Sequence, residues 1–219
     1  MSQHSLRITL LGGFSVVTGD AEVDERAWRL RKARSLVKVA ALAPGRRVHR
    51  DVLAELLWPD RDAAAATNNL HQALHAARRA LGDPAALALA DDVLVLTPDA
   101  WVDVDAFEAA AARPEGIDEA LALYRGELLP EDRFEEWTEG RRAALTELHL
   151  DLVVRAADGH AARGDPGAAI TALARAAAGA PRHEPVRRAL MRALAAAGRR
   201  QDALAEFERL RTTLRDHNE

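Results

Sequence analysis

Residues 67–82, TNNLHQALHAARRALG, constrain this chain more than any other stretch, because they have two incompatible sides. At about 100° per residue, Ala66, Leu70, Ala73, Leu74, Ala77, Ala80 and Leu81 fall on one arc. Asn68, His71, Gln72, His75 and Arg79 gather opposite, with Asn69 and Arg78 at the margins. A helix of this kind must dock its apolar stripe on a core and offer the other side to solvent or a ligand. Gly82, two residues before Pro84, supplies the stop.

The surrounding pattern gives that helix a setting. Residues 6–24 read as short strands: LRITLLG and FSVV are apolar, partly β-branched runs divided by Gly12-Gly13, with Gly19-Asp20 as the next turn. Helices are expected over 29–43, ended by Pro44-Gly45, over 49–57, stopped by Trp58-Pro59, and over 62–81. ALALA and VLVL then flank Asp91-Asp92 as a hairpin within 87–104.

After Asp103 the texture is helical throughout, over 103–112, 117–127, 134–163, 166–179, 184–197 and 201–215. RGDPGAAITAL (163–173) matches AGRRQDALAEF (197–207) at an offset of 34 residues, setting Gly164 on Gly198, Ala169 on Ala203 and Leu173 on Phe207. A 34-residue helix–turn–helix period is that of tetratricopeptide repeats. On this pattern the small alanines let paired helices approach, and Leu173 and Phe207 fill the adjoining gap.

Aromatics make up only 4% of the 219 residues, so the core must be Leu, Val and Ala. With no cysteine, disulfides and thiolate metal sites are excluded, and a reducing, cytoplasmic setting is expected. No secretory signal is read in residues 1–20, and no apolar run approaches the roughly 18 residues a membrane span needs.

The net charge of −4 hides an uneven distribution. Residues 1–102 carry 13 Lys/Arg against 12 Asp/Glu, and residues 103–219 carry 17 against 22. Residues 26–50 hold nine cations and no acid: Arg26, Arg29, Arg31, Lys32, Arg34, Lys38, Arg46, Arg47 and Arg50. Arg31, Arg34 and Lys38 form an i, i+3, i+7 stripe. Such groups suit phosphate oxygens, which position a protein on a duplex without reading its sequence.

The polar face of the 62–81 helix suits base edges. Asn or Gln can pair bidentately with adenine and Arg with guanine, and no Asp or Glu lies between Ala63 and Gly82 to repel phosphates. Asn68, Asn69, His71, Gln72, His75 and Arg79 are therefore candidate base readers. Arg29, Arg31, Lys32, Arg34, Lys38, Arg46, Arg47, Arg50 and Arg78 are candidate phosphate contacts. A solvated helix face is the plain alternative. His71 and His75 could share a metal ion at i, i+4, but Gln72 stands where a zinc protease needs a glutamate base. No metal and no cofactor is expected.

The order of strands, three helices and hairpin resembles a winged helix–turn–helix of the response-regulator type. LRKARSLVKVAAL, LAELLWPD, NNLHQALHAARRALG and WVDVDAFE resemble the bacterial antibiotic regulatory protein family over nearly the whole chain. The resemblance implies an α+β winged helix–turn–helix domain, 1–102, followed by an all-α tetratricopeptide-like activator domain, 103–219. It also implies double-stranded promoter DNA and RNA polymerase subunits as partners, with a homodimer on repeated half-sites. Two features depart from the family. Acids occupy the wing tip, and the helical domain is short, as in a natural short form or a fragment of a longer regulator.

A protein–protein adaptor, with a winged helix that does not bind DNA, is the competing class. Enzyme chemistry is not expected. Asp103, Asp105 and Glu108 have no nucleophile–base pair, glycine-rich loop or metal cluster to organise them, and helix capping at the domain junction accounts for them.

Overall fold

A computed structural model describes residues 5–215. They form two compact units. One runs to Ala106 and includes Arg125–Arg141; the other comprises Phe107–Tyr124 and everything from Arg142 onward.

In the first unit, β1 (Leu6–Thr9) pairs antiparallel with β2 (Ser15–Thr18) and parallel with β7 (Trp101–Val102). The short β3 (Ala21–Glu22) extends the sheet beyond β2, giving the order β3-β2-β1-β7. Alternation sends Leu6 and Ile8 inward, both essentially inaccessible to solvent. Asp103 begins α4 (Asp103–Ala111), yet its carboxylate serves β1. Both its oxygens accept the Leu10 N–H at 2.9 Å, and Oδ2 accepts the Leu11 N–H at 2.8 Å. Burial pushes the Asp103 carboxyl above its ordinary range, against the pull of these backbone N–H groups.

Three helices follow: α1 (Arg31–Leu42), α2 (Arg50–Leu57) and α3 (Ala63–Leu81). All three pack on one another, burying Leu36, Val37, Leu53, Leu57, Leu70 and Leu81. Asp62 caps α3 by accepting the Ala65 N–H at 2.8 Å, a contact worth about 1 kcal/mol. Gly82 closes it at φ 69°. The wing is a three-stranded sheet, with β6 (Val93–Leu96) between β4 (Arg47–His49) and β5 (Leu87–Ala90). Asp91 and Asp92 both take positive φ, 48° and 63°, as a two-residue turn with the right twist for a hairpin requires.

Residues 124–135 depart from the expected helical run. The helix over 117–127 stops at Leu123, as α5 (Ile117–Leu123). The chain then returns to β1: Leu128 bridges Leu11, Gly12 N–H donates to Glu127 O, and Leu129 N–H donates to Leu10 O, the last two at 2.9 Å. The return runs past Gly12, where an added Cβ would meet the Arg125 backbone at 3.1 Å.

The second unit takes the end of α4, α5, most of α6 (Glu136–Ala162), α7 (Pro166–Gly179), α8 (Glu184–Ala196) and α9 (Arg200–Arg215). Its core is aliphatic, with Leu150, Val153, Leu173, Val186, Leu190 and Leu194 among its members. The 34-residue period is visible in the backbone. Asp165 N–H donates to His160 O and Arg199 N–H to Leu194 O, at 3.0 and 2.8 Å, each around a glycine near φ 80°. Leu173 is buried as the repeat requires, but Phe207 on α9 is half-exposed and does not fill the corresponding place.

Candidate nucleic-acid interface

The exposed side of α3 presents Asn68, His71, Gln72, His75 and Arg79. Asn69 and Arg78 are half-buried at its two margins. None of Asn68, Asn69, His71, Gln72, His75 or Arg79 has a side-chain hydrogen bond or ion pair among the described residues. Arg78 differs. Its Nε donates to Leu87 O at 2.7 Å, fastening the wing to the helix.

The cationic run divides once folded. Lys38 is almost wholly buried, and its ammonium meets Asp132 and Glu131. That corrects its place among the phosphate contacts, since the apolar packing of α1 draws it inward together with its stem. Arg34 pairs with Glu25 at 2.9 Å, Arg31 with Glu135 at 2.6 Å and Arg46 with Asp105 at 2.8 Å. Arg50 pairs with Asp92 at 2.9 Å, so one acid of the wing tip is neutralised from α2. Arg29, Lys32 and Arg47 make no side-chain ion pair or hydrogen bond among the described residues. Arg26, also within the run, is exposed and equally unpaired. The acids from Glu131, Asp132 and Glu135 had no signal in the sequence, because they lie 93–104 positions from their partners.

Among the described residues, no group of three His, Cys, Asp or Glu could hold a metal ion around His71 and His75 or elsewhere. No helix of the described residues is long and apolar enough to cross a membrane.

The fold and this face can be set beside known proteins. The bacterial transcriptional activator domain family matches residues 100–217. A solved structure of EmbR from Mycobacterium tuberculosis, in complex with a low-affinity phosphopeptide, aligns with a TM-score of 0.80 at 27% identity. The alignment covers 97% of this chain and 60% of EmbR, so the chain spans less than two-thirds of that relative. No curated protein matches the sequence. A winged helix–turn–helix joined to tetratricopeptide-like helices, and a matching family domain over more than half the residues, place the chain in the bacterial transcriptional activator domain family.

Proposed function

We propose that this regulator binds double-stranded promoter DNA through the outer face of α3 and activates transcription by contacting RNA polymerase. The observation carrying the proposal is that α3 exposes a run of hydrogen-bonding side chains that the protein itself leaves unsatisfied, on a helix without one acidic residue. Asn68, Asn69, His71, Gln72 and His75 would read base edges in the major groove. Lys32 and Arg47 would contact phosphates, as would Arg31, Arg34, Arg46 and Arg50 where DNA displaces the carboxylate now paired to each. Arg78 would act indirectly by holding the wing. The helical unit, in the acidic part of the chain, suits a basic polymerase surface.

Selection of duplexes from a randomised library, followed by anisotropy titration over a range of salt, tests the proposal. Binding to the selected duplex should be much tighter than to random DNA and should fall steeply with salt. Equal affinity for both would remove sequence reading. No affinity for either at low salt would favour the adaptor role.

A further inference from the structure

A groove of about 480 Å³ opens between the second half of α3 and the segment just before α1. Arg26, Arg29 and Arg79 rim it, and Ala27, Leu30 and Ala76 line it. Gln72 and His75 complete the α3 side. No acid lines it. The acids nearest in sequence are engaged elsewhere: Asp24 accepts the Arg26 backbone N–H at 2.7 Å, and Glu25 holds Arg34. Three guanidinium groups thus share one concavity with no counter-charge among the described residues.

The outer wall is fixed before any ligand arrives. Glu25–Ala27 form a 3-10 turn capped by Asp24. Trp28 turns inward, buried edge-to-face against Phe14 with ring centres 5.4 Å apart. With Trp28 anchored, Arg26, Ala27, Arg29 and Leu30 are all left exposed on the surface. Leu30 is one of the large apolar side chains that stays substantially exposed, at 42%.

We infer that this groove seats one stretch of the DNA sugar–phosphate backbone, with Arg26, Arg29 and Arg79 closing on phosphate oxygens. This rests on the DNA-binding reading above. Deoxyribose is largely apolar and matches the Ala27, Leu30 and Ala76 walls, while the phosphate needs the guanidinium rim. Length points the same way. The 19 residues of α3 span about 28 Å, whereas the major groove is about 12 Å wide. The turn holding Asn68, His71 and Gln72 can lie against bases while Arg79, two turns later, meets the bordering strand. Arg79 then positions the helix and does not read sequence, and Arg26 joins the contact set.

The test compares wild type with Arg26→Gln, Arg29→Gln and Arg79→Gln on the selected and on random duplex, across salt. Each variant should lose affinity by a similar factor on both duplexes, and the slope of log affinity against log salt should flatten by about 0.9. Arg175→Gln on α7, which also removes one charge, should leave the slope unchanged. Methylphosphonate replacement of single phosphates should reveal one position where Arg26→Gln has no further effect. Wild-type binding with unaltered variants overturns the groove alone. Altered base preference in Arg79→Gln, at an unchanged slope, returns that residue to base reading. Failure of wild type to bind any duplex removes both proposals.

Discussion

Lys38 and Asp132, 94 positions apart, form a buried ion pair that ties α1 to the chain returning from the helical half of the sequence. The Lys38 ammonium also lies 2.9 Å from Glu131 and 4.8 Å from the Phe14 ring centre. Burial pushes the Glu131 carboxyl up, but the Lys38 hydrogen bond and charge and backbone N–H groups outweigh it, leaving its pKa below the ordinary 4.5. A depressed carboxylate stabilises the fold above its unfolded pKa, and that contribution is lost as pH falls through the native value.

Removing the cation takes from Asp132 its buried counter-ion. Lys38→Met should destabilise the first unit by about 3–5 kcal/mol in urea titration. DNA affinity per folded molecule should not change. A stability loss near the roughly 0.5 kcal/mol of ordinary surface changes would contradict this account of the pair.

The wing tip gives the opposite kind of prediction. Arg50 holds Asp92 through the guanidinium, and its backbone N–H donates to Asp92 O at 2.7 Å. Asp92→Asn keeps the backbone contact and removes the acid. An exposed pair of this type contributes about 0–1 kcal/mol, so stability should barely move. Affinity for every duplex should rise and its salt dependence steepen, because Arg50 loses the nearer of its two carboxylates, keeping only Asp51 at 3.5 Å. An unchanged salt slope would place this corner away from DNA.

In the helical unit, Gly116 follows α4 in a 3-10 turn where a Cβ would collide with the Ala110 carbonyl oxygen. The obstruction is backbone and cannot swing aside. Gly116→Ala should therefore cost about 1–3 kcal/mol of stability, read as a lower thermal midpoint. Gly140→Ala, on α6 with open space around it, is the control and should be near neutral or stabilising.

His149 stacks on Tyr124 with ring centres 3.9 Å apart and nearly parallel planes. Its Nδ1 is buried without a partner among the described residues, and burial holds its pKa below the ordinary 6.5. The fold favours the neutral ring. Its contribution is present above pH 6.5 and is lost as pH falls through the lower native value. His149→Phe, which keeps the stack, should weaken the loss of stability between about pH 7 and 5. An identical pH profile in the variant would show that other groups carry the dependence.

How far the sequence reached depends on the range of the interaction concerned. α3 was legible because its evidence is local: an apolar stripe every three or four residues, Asp62 before it and Gly82 after it. The repeat was legible because the turns after α6 and α8 carry the same glycine at the same offset. The set of polar groups on α3 followed from the same periodicity. Which cations stay available did not. Lys38 and Arg31 look like neighbours on one stripe, yet one is buried and both meet acids from beyond position 130.

Local hydrogen bonding and side-chain periodicity thus determined the three helices of the first unit, the hairpin of the wing and the face that α3 turns outward, since each depends on residues within a few turns of one another. Tertiary structure alone decided that residues 125–141 belong with the N-terminal unit, that Lys38 is an internal counter-ion, and that Arg26, Arg29 and Arg79 surround one groove. Those outcomes depend on which distant charges desolvate together, and Coulomb pairing across some ninety positions leaves no periodic trace in a sequence.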